Sequence, residues 1–209
     1  MQSKTTSYFG AIVLTLCSLL FEAATAQTSA GGPTTFKMDS YSLQQPKDWT
    51  YKQQAAPGGG ILHMFYGKQE NEALAYCHTT QQPLNAALAL DAVKMTEKQR
   101  RDFFVNNSNK DFLFSLHHEL ASAQGFRLIN FRPATLGQTI PSFSADFIFQ
   151  VPQGFTYRVR SYYTFWPKAQ FVTWCQTVSK KESTAENEFL RNLSVFQQFF
   201  LSIAISEKA

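Results

Sequence analysis

The stretch that decides the fold is residues 143–179, FSADFIFQVPQGFTYRVRSYYTFWPKAQFVTWCQTVS. Apolar and polar residues alternate through it, and a period of two is typical of strands that bury one face. Two short turn sequences interrupt the alternation, at residues 152–154 and 167–169. Because short turns join antiparallel neighbours, the stretch predicts three consecutive strands in an antiparallel meander.

Further strands are expected before this meander. A first strand should cover residues 36–43 and end before Pro46, because proline cannot donate a hydrogen bond to a central ladder. Four more short apolar or alternating segments predict strands. One of them begins at Trp49, and the other three cover residues 61–66, 73–79 and 127–132.

The end of the chain predicts a helix that lies on this sheet. Ser183 and Glu186 have the spacing of a capping box, in which each side chain bonds a backbone N–H of the first turn. Large apolar residues then repeat at helical spacing and form one stripe. They are Phe189, Leu193, Phe196 and Phe200.

The middle of the chain also predicts helices, over residues 84–93, from a Thr96 cap through Phe104, and over residues 112–120. Strands therefore precede and follow a helical middle, and one helix closes the chain. We expect an α/β fold of the α+β type, with a central antiparallel sheet flanked by helices.

The first 26 residues have the layout of a secretory signal peptide. Lys4 precedes an apolar stretch over residues 9–21, and Ala24 and Ala26 are the small residues that a signal peptidase reads. The apolar stretch is short for a membrane span, which needs about 20 residues. We therefore expect a periplasmic or secreted protein that does not span a membrane after cleavage. A retained N-terminal anchor is the alternative.

After the signal peptide, residues 27–35 are small and polar and predict a flexible leader. We expect residues 36–209 to form one domain, because no repeat or low-complexity tract divides them. The formal net charge of +4 is spread evenly, without a basic run, so we expect no nucleic-acid partner.

The cysteines predict a disulfide. Cys17 would leave with the signal peptide, and Cys77 and Cys175 would remain in an oxidising compartment. A bridge between them would close a loop of roughly 100 residues, worth about 4–5 kcal/mol in the chain-entropy model. The alternative is two buried free thiols that behave as small hydrophobic groups.

The spacing of the cysteines and histidines bears on two other kinds of site, a Cys/His hydrolase site and a metal site. Cys77 and His78 are adjacent, and adjacent strand residues point to opposite faces, so they could not share a substrate or metal. A Cys/His hydrolase would have to pair Cys77 with His63, and a disulfide would consume its thiol. No HExxH and no histidine pair at i, i+4 occurs, so we expect no metal and no cofactor.

Aromatic residues make 15% of the chain. Tyr162, Trp166 and Trp174 fall on two strands joined by a short turn, and they are a candidate aromatic binding face for a peptide, glycan or lipid. The alternative is that a helix covers them.

The order of the elements resembles the PsbP-like superfamily, in its DcrB-like bacterial branch. The shared motifs are Pro46-Lys47-Asp48-Trp49, Leu136-Gly137 before a strand, and a closing helix with Phe199-Phe200. The resemblance implies a PsbP-like sandwich and a protein that binds partners without catalysis. We therefore expect an exported, non-catalytic binding or accessory protein of the bacterial cell envelope, whose partner is an unknown protein or the envelope surface.

Two alternatives to this function stay open. The first is a carrier or sensor for a small apolar ligand held between sheet and helix. The second is a hydrolase whose site the sequence does not reveal.

Overall fold

A computed structural model describes residues 34–38, 41–56, 60–83, 95–107, 111, 113, 120, 123–166 and 169–205. The predicted signal peptide, most of the predicted leader and the predicted helix over residues 84–93 lie outside this part of the chain. The described strands are β1 (Thr35–Lys37), β2 (Tyr41–Gln44), β3 (Thr50–Ala55), β4 (Ile61–Glu70), β5 (Ala73–Pro83), β6 (Gln124–Leu136), β7 (Ile140–Gln150), β8 (Thr156–Trp166), β9 (Ala169–Ser179) and β10 (Ala204–Ile205). The described helices are α1 (Glu97–Asn107), α2 (Glu182–Arg191) and α3 (Leu193–Leu201).

Seven strands form one sheet in the order β3-β4-β5-β9-β8-β7-β6, and every neighbouring pair is antiparallel. The predicted meander of β7, β8 and β9 is confirmed. Strand β9 also pairs along its other side with β5, which places residues 73–83 against residues 169–179. The predicted fold class, a central antiparallel sheet flanked by helices, is confirmed.

The first predicted strand, over residues 36–43, is wrong. These residues contribute to two short antiparallel strands, β1 and β2, in which Phe36 lies opposite Leu43. The chain reverses between them, and the backbone N–H of Met38 donates to the carbonyl of Tyr41 at 2.8 Å. The final described strand β10 pairs with the other side of β2, so residues 35–44 and 204–205 share a small three-stranded sheet.

The large sheet is buried on both faces, and each face carries its own hydrophobic core. We call them the α1 face and the α2–α3 face after the described helices that cover them. The core of the α1 face includes Phe143, Phe147, Tyr163 and Trp174, with the helical residues Leu113 and Leu120 packed on it. The core of the α2–α3 face joins the small sheet to the closing helices. Its members include Tyr41, Leu43, Phe65, Cys77, Cys175, Phe189, Phe196, Phe199, Phe200 and Ile203.

Of the two predicted helix N-terminal caps, the structure contains one. Thr96 caps α1 as expected: its hydroxyl accepts from the Gln99 N–H, and the Gln99 side chain accepts from the Thr96 N–H. The capping box expected at Ser183 is wrong, because α2 begins at Glu182 after Lys181, which makes no side-chain cap. Glu186 instead accepts a hydrogen bond from Arg158 on the sheet.

The closing helix is also divided. It breaks at Asn192 into α2 and α3, where a single continuous helix was expected. The predicted apolar stripe nevertheless faces the sheet, since Phe189, Phe196 and Phe200 are buried. No helix within the described ranges is long and apolar enough to cross a membrane.

Candidate functional site

The predicted disulfide is confirmed. Cys77 on β5 lies directly opposite Cys175 on β9, with their Cα atoms 4.0 Å apart, and the two sulfurs are bonded. The bridge joins residues that are 98 positions apart in the chain. Both side chains are fully buried in the core of the α2–α3 face, so they serve its packing and leave no thiolate for catalysis.

The two histidines near Cys77 lie on different faces of the sheet. His78 is on the α1 face, where its ring centroid lies 5.4 Å from that of Trp174. His63 is on the α2–α3 face, and its Nδ1 atom lies 2.8 Å from the Tyr51 hydroxyl. Burial lowers the pKa of His63. The other two histidines of the sequence, His117 and His118, lie outside the described residues.

The described side chains assemble no cluster of three or more histidines, cysteines and acidic residues with metal-site spacing. The Cys/His pair that a hydrolase would need at Cys77 does not form either, because the thiol is consumed by the disulfide.

The candidate aromatic face is not assembled by its two described side chains. Tyr162 is half-buried on the α2–α3 face, with its ring centroid 4.5 Å from that of Phe200. Trp174 is buried on the α1 face, edge-on to Phe147 at 5.7 Å. Tyr162 pairs with Thr173, so Trp174, the next residue, must point to the opposite face. The Trp166 backbone pairs with Ala169, and its side chain lies outside the described part.

A buried ionic network on the α2–α3 face is a feature that the sequence analysis missed. Arg160 donates two hydrogen bonds to the Asp146 carboxylate, at 2.8 and 2.9 Å, and they raise the pKa of Arg160. Arg158 donates to Glu186 on α2 at 2.8 Å, and its guanidinium carbon lies 4.1 Å from the Phe189 ring centroid. The sequence alternation could have indicated it, because Asp146, Arg158 and Arg160 all occupy the polar positions of their strands.

This network is structural. Asp146 and Arg158 are buried, and the carboxylates neutralise the guanidinium groups. Its contacts run from the sheet to the first half of the closing helix, so they fix where α2 lies.

A cleft of about 230 Å³ opens between α1 and the β6–β7 hairpin. Arg101 and Val105, one turn apart on α1, line one wall. The hairpin supplies the opposite wall, which combines hydroxyl groups with proline rings. Its residues include Pro133, Thr135, Thr139 and Pro141. This cleft brings together a guanidinium, hydroxyls and apolar surface, and it is the candidate functional site of the described chain.

The fold has a solved counterpart. The solution structure of cyanobacterial PsbP (CyanoP) from Synechocystis sp. PCC 6803 aligns with a TM-score of 0.51, and the alignment covers 86% of this chain and 98% of that chain. The fold is PsbP-like. Sequence identity is 11%, so the similarity extends to the fold alone. No protein-family model and no curated protein sequence matches the chain.

Proposed function

We propose that this chain is an exported, non-catalytic accessory protein of the bacterial cell envelope that acts by binding a protein partner or the envelope surface. The observation that carries the proposal is the alignment with cyanobacterial PsbP, which covers 98% of that chain. Within the PsbP-like proteins, we infer that this chain belongs to the DcrB-like bacterial branch. The layout of residues 1–26 supports that inference, because it is that of a bacterial secretory signal and not of an Arg-rich transit peptide.

Two further observations support export and the absence of catalysis. A disulfide buried in the core is typical of proteins that fold in an oxidising compartment, as the signal-peptide layout of residues 1–26 also predicts. The Cys77 thiol, the only strong nucleophile beside a histidine in the sequence, is held in that bridge.

Export is tested by producing the full chain in a bacterial host and measuring, by mass spectrometry, the mass of the protein recovered from the periplasmic fraction. We expect a mature chain that begins at Gln27 and has no reactive thiol under denaturing, non-reducing conditions. A matched variant, Ala24→Leu with Ala26→Leu, should stay uncleaved and membrane-associated because the peptidase needs small residues there. Recovery of uncleaved wild-type chain in the cytoplasm, with two reactive thiols, would contradict the proposal.

Partner binding is tested by cross-linking the exported protein in intact cells and identifying the adducts by mass spectrometry. We expect one dominant adduct with a protein or lipid component of the envelope. The control is the Cys77→Ala/Cys175→Ala variant, which should form the adduct in proportion to its folded fraction. Absence of any dominant adduct, with turnover of ester or peptide substrates by the purified protein, would favour the hydrolase instead.

A further inference from the structure

We propose that the outer edge of β3 pairs with the same edge of a second copy of this chain, so that one antiparallel sheet runs through a dimer. The seven-stranded sheet ends at β3 on one side and at β6 on the other, and no described strand pairs with the outer side of either. The inference is independent of the accessory function proposed above. It rests on a difference between these two edges and on the register in which β3 can pair with itself.

The two edges differ in their protection against pairing with another chain. β6 shifts register against β7 at two places, and it carries Pro133 and the exposed Arg127 and Arg132. Bulges, proline and charged side chains all keep an edge strand from pairing with another chain. β3 pairs with β4 over Thr50–Ala55 without a register shift, and its sequence has no proline and no acidic residue. β3 is therefore the edge that can accept another strand.

The single charged residue of β3, Lys52, does not block this edge. Its ammonium group lies 5.6 Å from the ring centroid of Tyr66, which belongs to the inner neighbour β4. The side chain therefore leans over the sheet, away from the outer side of β3. A lysine that protects an edge would instead extend its charge beyond that side.

One hydrogen bond at the β3–β4 turn shows which backbone groups of β3 face outward. The Ala56 N–H donates to the carbonyl of Gly60 at 3.0 Å, so these two residues form a hydrogen-bonded pair. Because hydrogen-bonded pairs alternate along an antiparallel ladder, the even-numbered residues of β3 bond to β4. The odd-numbered residues direct their N–H and C=O groups away from the sheet. They are Tyr51, Gln53 and Ala55, of which the last two are exposed.

Two copies of β3 are complementary when a two-fold axis passes beside Gln53. Each Gln53 then lies opposite the other, and Tyr51 of one copy lies opposite Ala55 of the second copy. All three outward residues of each strand donate and accept, and a large side chain meets a small one. On the opposite face Lys52 meets the uncharged Gln54, so no like charges lie directly across from each other.

The test is the mass of the purified, disulfide-bonded chain in solution, measured by sedimentation equilibrium over a concentration series. β3 is short, so we expect a weak dimer whose mass rises from one copy towards two between about 10 μM and about 1 mM. A chain that keeps the mass of one copy up to about 1 mM would overturn the proposal. The edge would then be left for a strand of a different protein or for none.

Gln53→Lys and Gln53→Glu locate the contact, because each places two like charges opposite each other at the axis. We expect either variant alone to raise the dimer Kd at least about tenfold. An equimolar mixture of the two should form a mixed dimer at wild-type concentrations, because opposite charges then meet. Only a contact in which Gln53 faces itself gives this pattern.

The matched controls are Gln124→Lys and Gln124→Glu, since Gln124 is an exposed glutamine on β6, the opposite edge of the same sheet. Both should dimerise as wild type does, and so should Tyr51→Phe. That variant removes the hydroxyl 3.0 Å from the Gln53 side chain but keeps the backbone groups that pair. Far-ultraviolet circular dichroism should be unchanged in all variants. Equal weakening by the Gln124 and Gln53 variants, or a mixture as weak as its components, would overturn the proposal.

Discussion

The two faces of the large sheet solve the same packing problem in opposite ways. On the α1 face the strands supply the large side chains, which stack on one another: Phe143 lies on Tyr163 at 4.8 Å and Phe149 on Tyr157 at 5.0 Å. On the α2–α3 face, the central strands supply small groups around the disulfide, although β9 also contributes Phe171. Ala75, Cys77 and Cys175 lie there, and the closing helices supply the phenylalanines that fill the space.

The faces also differ in how their cover is held. The charged side chains that are buried in the described chain, Asp146, Arg158 and Glu188, all belong to the α2–α3 face or to the helix on it. Glu188 accepts a hydrogen bond from Asn71 in the β4–β5 turn at 2.8 Å, so α2 is held at a second point. We infer that small strand residues bring the helix close, and that directional polar contacts then fix its position. The α1 face relies on aromatic packing among its own strands.

The largest effect is expected when the disulfide is removed. The Cys77→Ala/Cys175→Ala variant keeps the side chains small but opens a loop that spans 98 residues. In the chain-entropy model this costs about 4–5 kcal/mol of unfolding free energy, which urea denaturation at pH 7 would measure. Wild type refolded and kept under reductant is the control and should lose a similar amount. A loss below about 1 kcal/mol would show that packing alone holds the two central strands.

The buried ionic network should give the next largest effect. Asp146→Asn leaves Arg158 and Arg160 without their shared carboxylate in a buried site, which we expect to cost about 3–5 kcal/mol. The control is Arg127→Gln, which breaks the exposed ion pair with Glu182 and should cost less than about 1 kcal/mol. Denaturation curves that shift equally for the two variants would contradict the role assigned to the network.

Strand alternation is the part of this comparison that the sequence predicted well. It is a local property, so the opposite orientations of Cys77 and His78 followed from the chain itself. Pairing β5 with β9 is not local, and only the two cysteines that lie outside the predicted signal peptide pointed to it. The cross-strand register of the pair could not be derived from either cysteine's neighbours.

The candidate aromatic face shows that sequence alone does not tell whether residues on two strands joined by a turn lie on the same face of the sheet. Tyr162 and Trp174 share a face or oppose each other depending on whether the register shifts by one residue. Trp166 pairs with Ala169, and this register puts Trp174 on the other side from Tyr162. Glu186 also depends on a contact that is not local. Its spacing from Ser183 predicted a helix cap, but its carboxylate accepts a hydrogen bond from Arg158 on the sheet.

The cleft could not be predicted from sequence either. Its walls come from α1 and from the β6–β7 hairpin, which are separated in the sequence by residues 108–123. No motif links Arg101 to Thr139, so only the packing of α1 on these strands brings them together.

A matched pair of glycines tests how closely the end of α3 packs on the β6–β7 turn. Gly137 and Gly154 both have positive φ, 60° and 80°, so alanine at either position costs about 1–2 kcal/mol of strain. A Cβ at Gly137 would also lie 2.1 Å from the carbonyl oxygen of Ile203, whereas nothing lies within 4 Å at Gly154. We expect Gly137→Ala to lose about 1–3 kcal/mol more than Gly154→Ala in thermal or urea denaturation. Equal losses of unfolding free energy would mean that the backbone at Ile203 moves away from the added Cβ without destabilising the fold.

The smallest effect is expected from pH and concerns His63 at the rim of the α2–α3 face. Burial lowers its pKa below the usual value of about 6.5, so the unfolded chain takes up this proton at a higher pH than the folded chain does. Stability should therefore fall as pH falls from about 6.5 to the lowered pKa, by at most about 1.4 kcal/mol per pH unit, and this contribution should level off below it. His63→Gln should remove that part of the slope.

The control for this prediction is Tyr51→Phe, which removes the hydroxyl 2.8 Å from His63 Nδ1 but keeps a titrating imidazole. The other groups around the ring that the structure describes, Tyr41, Gln53 and Thr79, carry no charge between pH 5 and 7. We expect Tyr51→Phe to be less stable than wild type throughout this range while keeping the slope. If urea denaturation gave wild type and His63→Gln parallel stability curves from pH 7 to 5, His63 would have to titrate at the same pH in the folded and unfolded chains. Its burial against the small sheet would then have no electrostatic consequence.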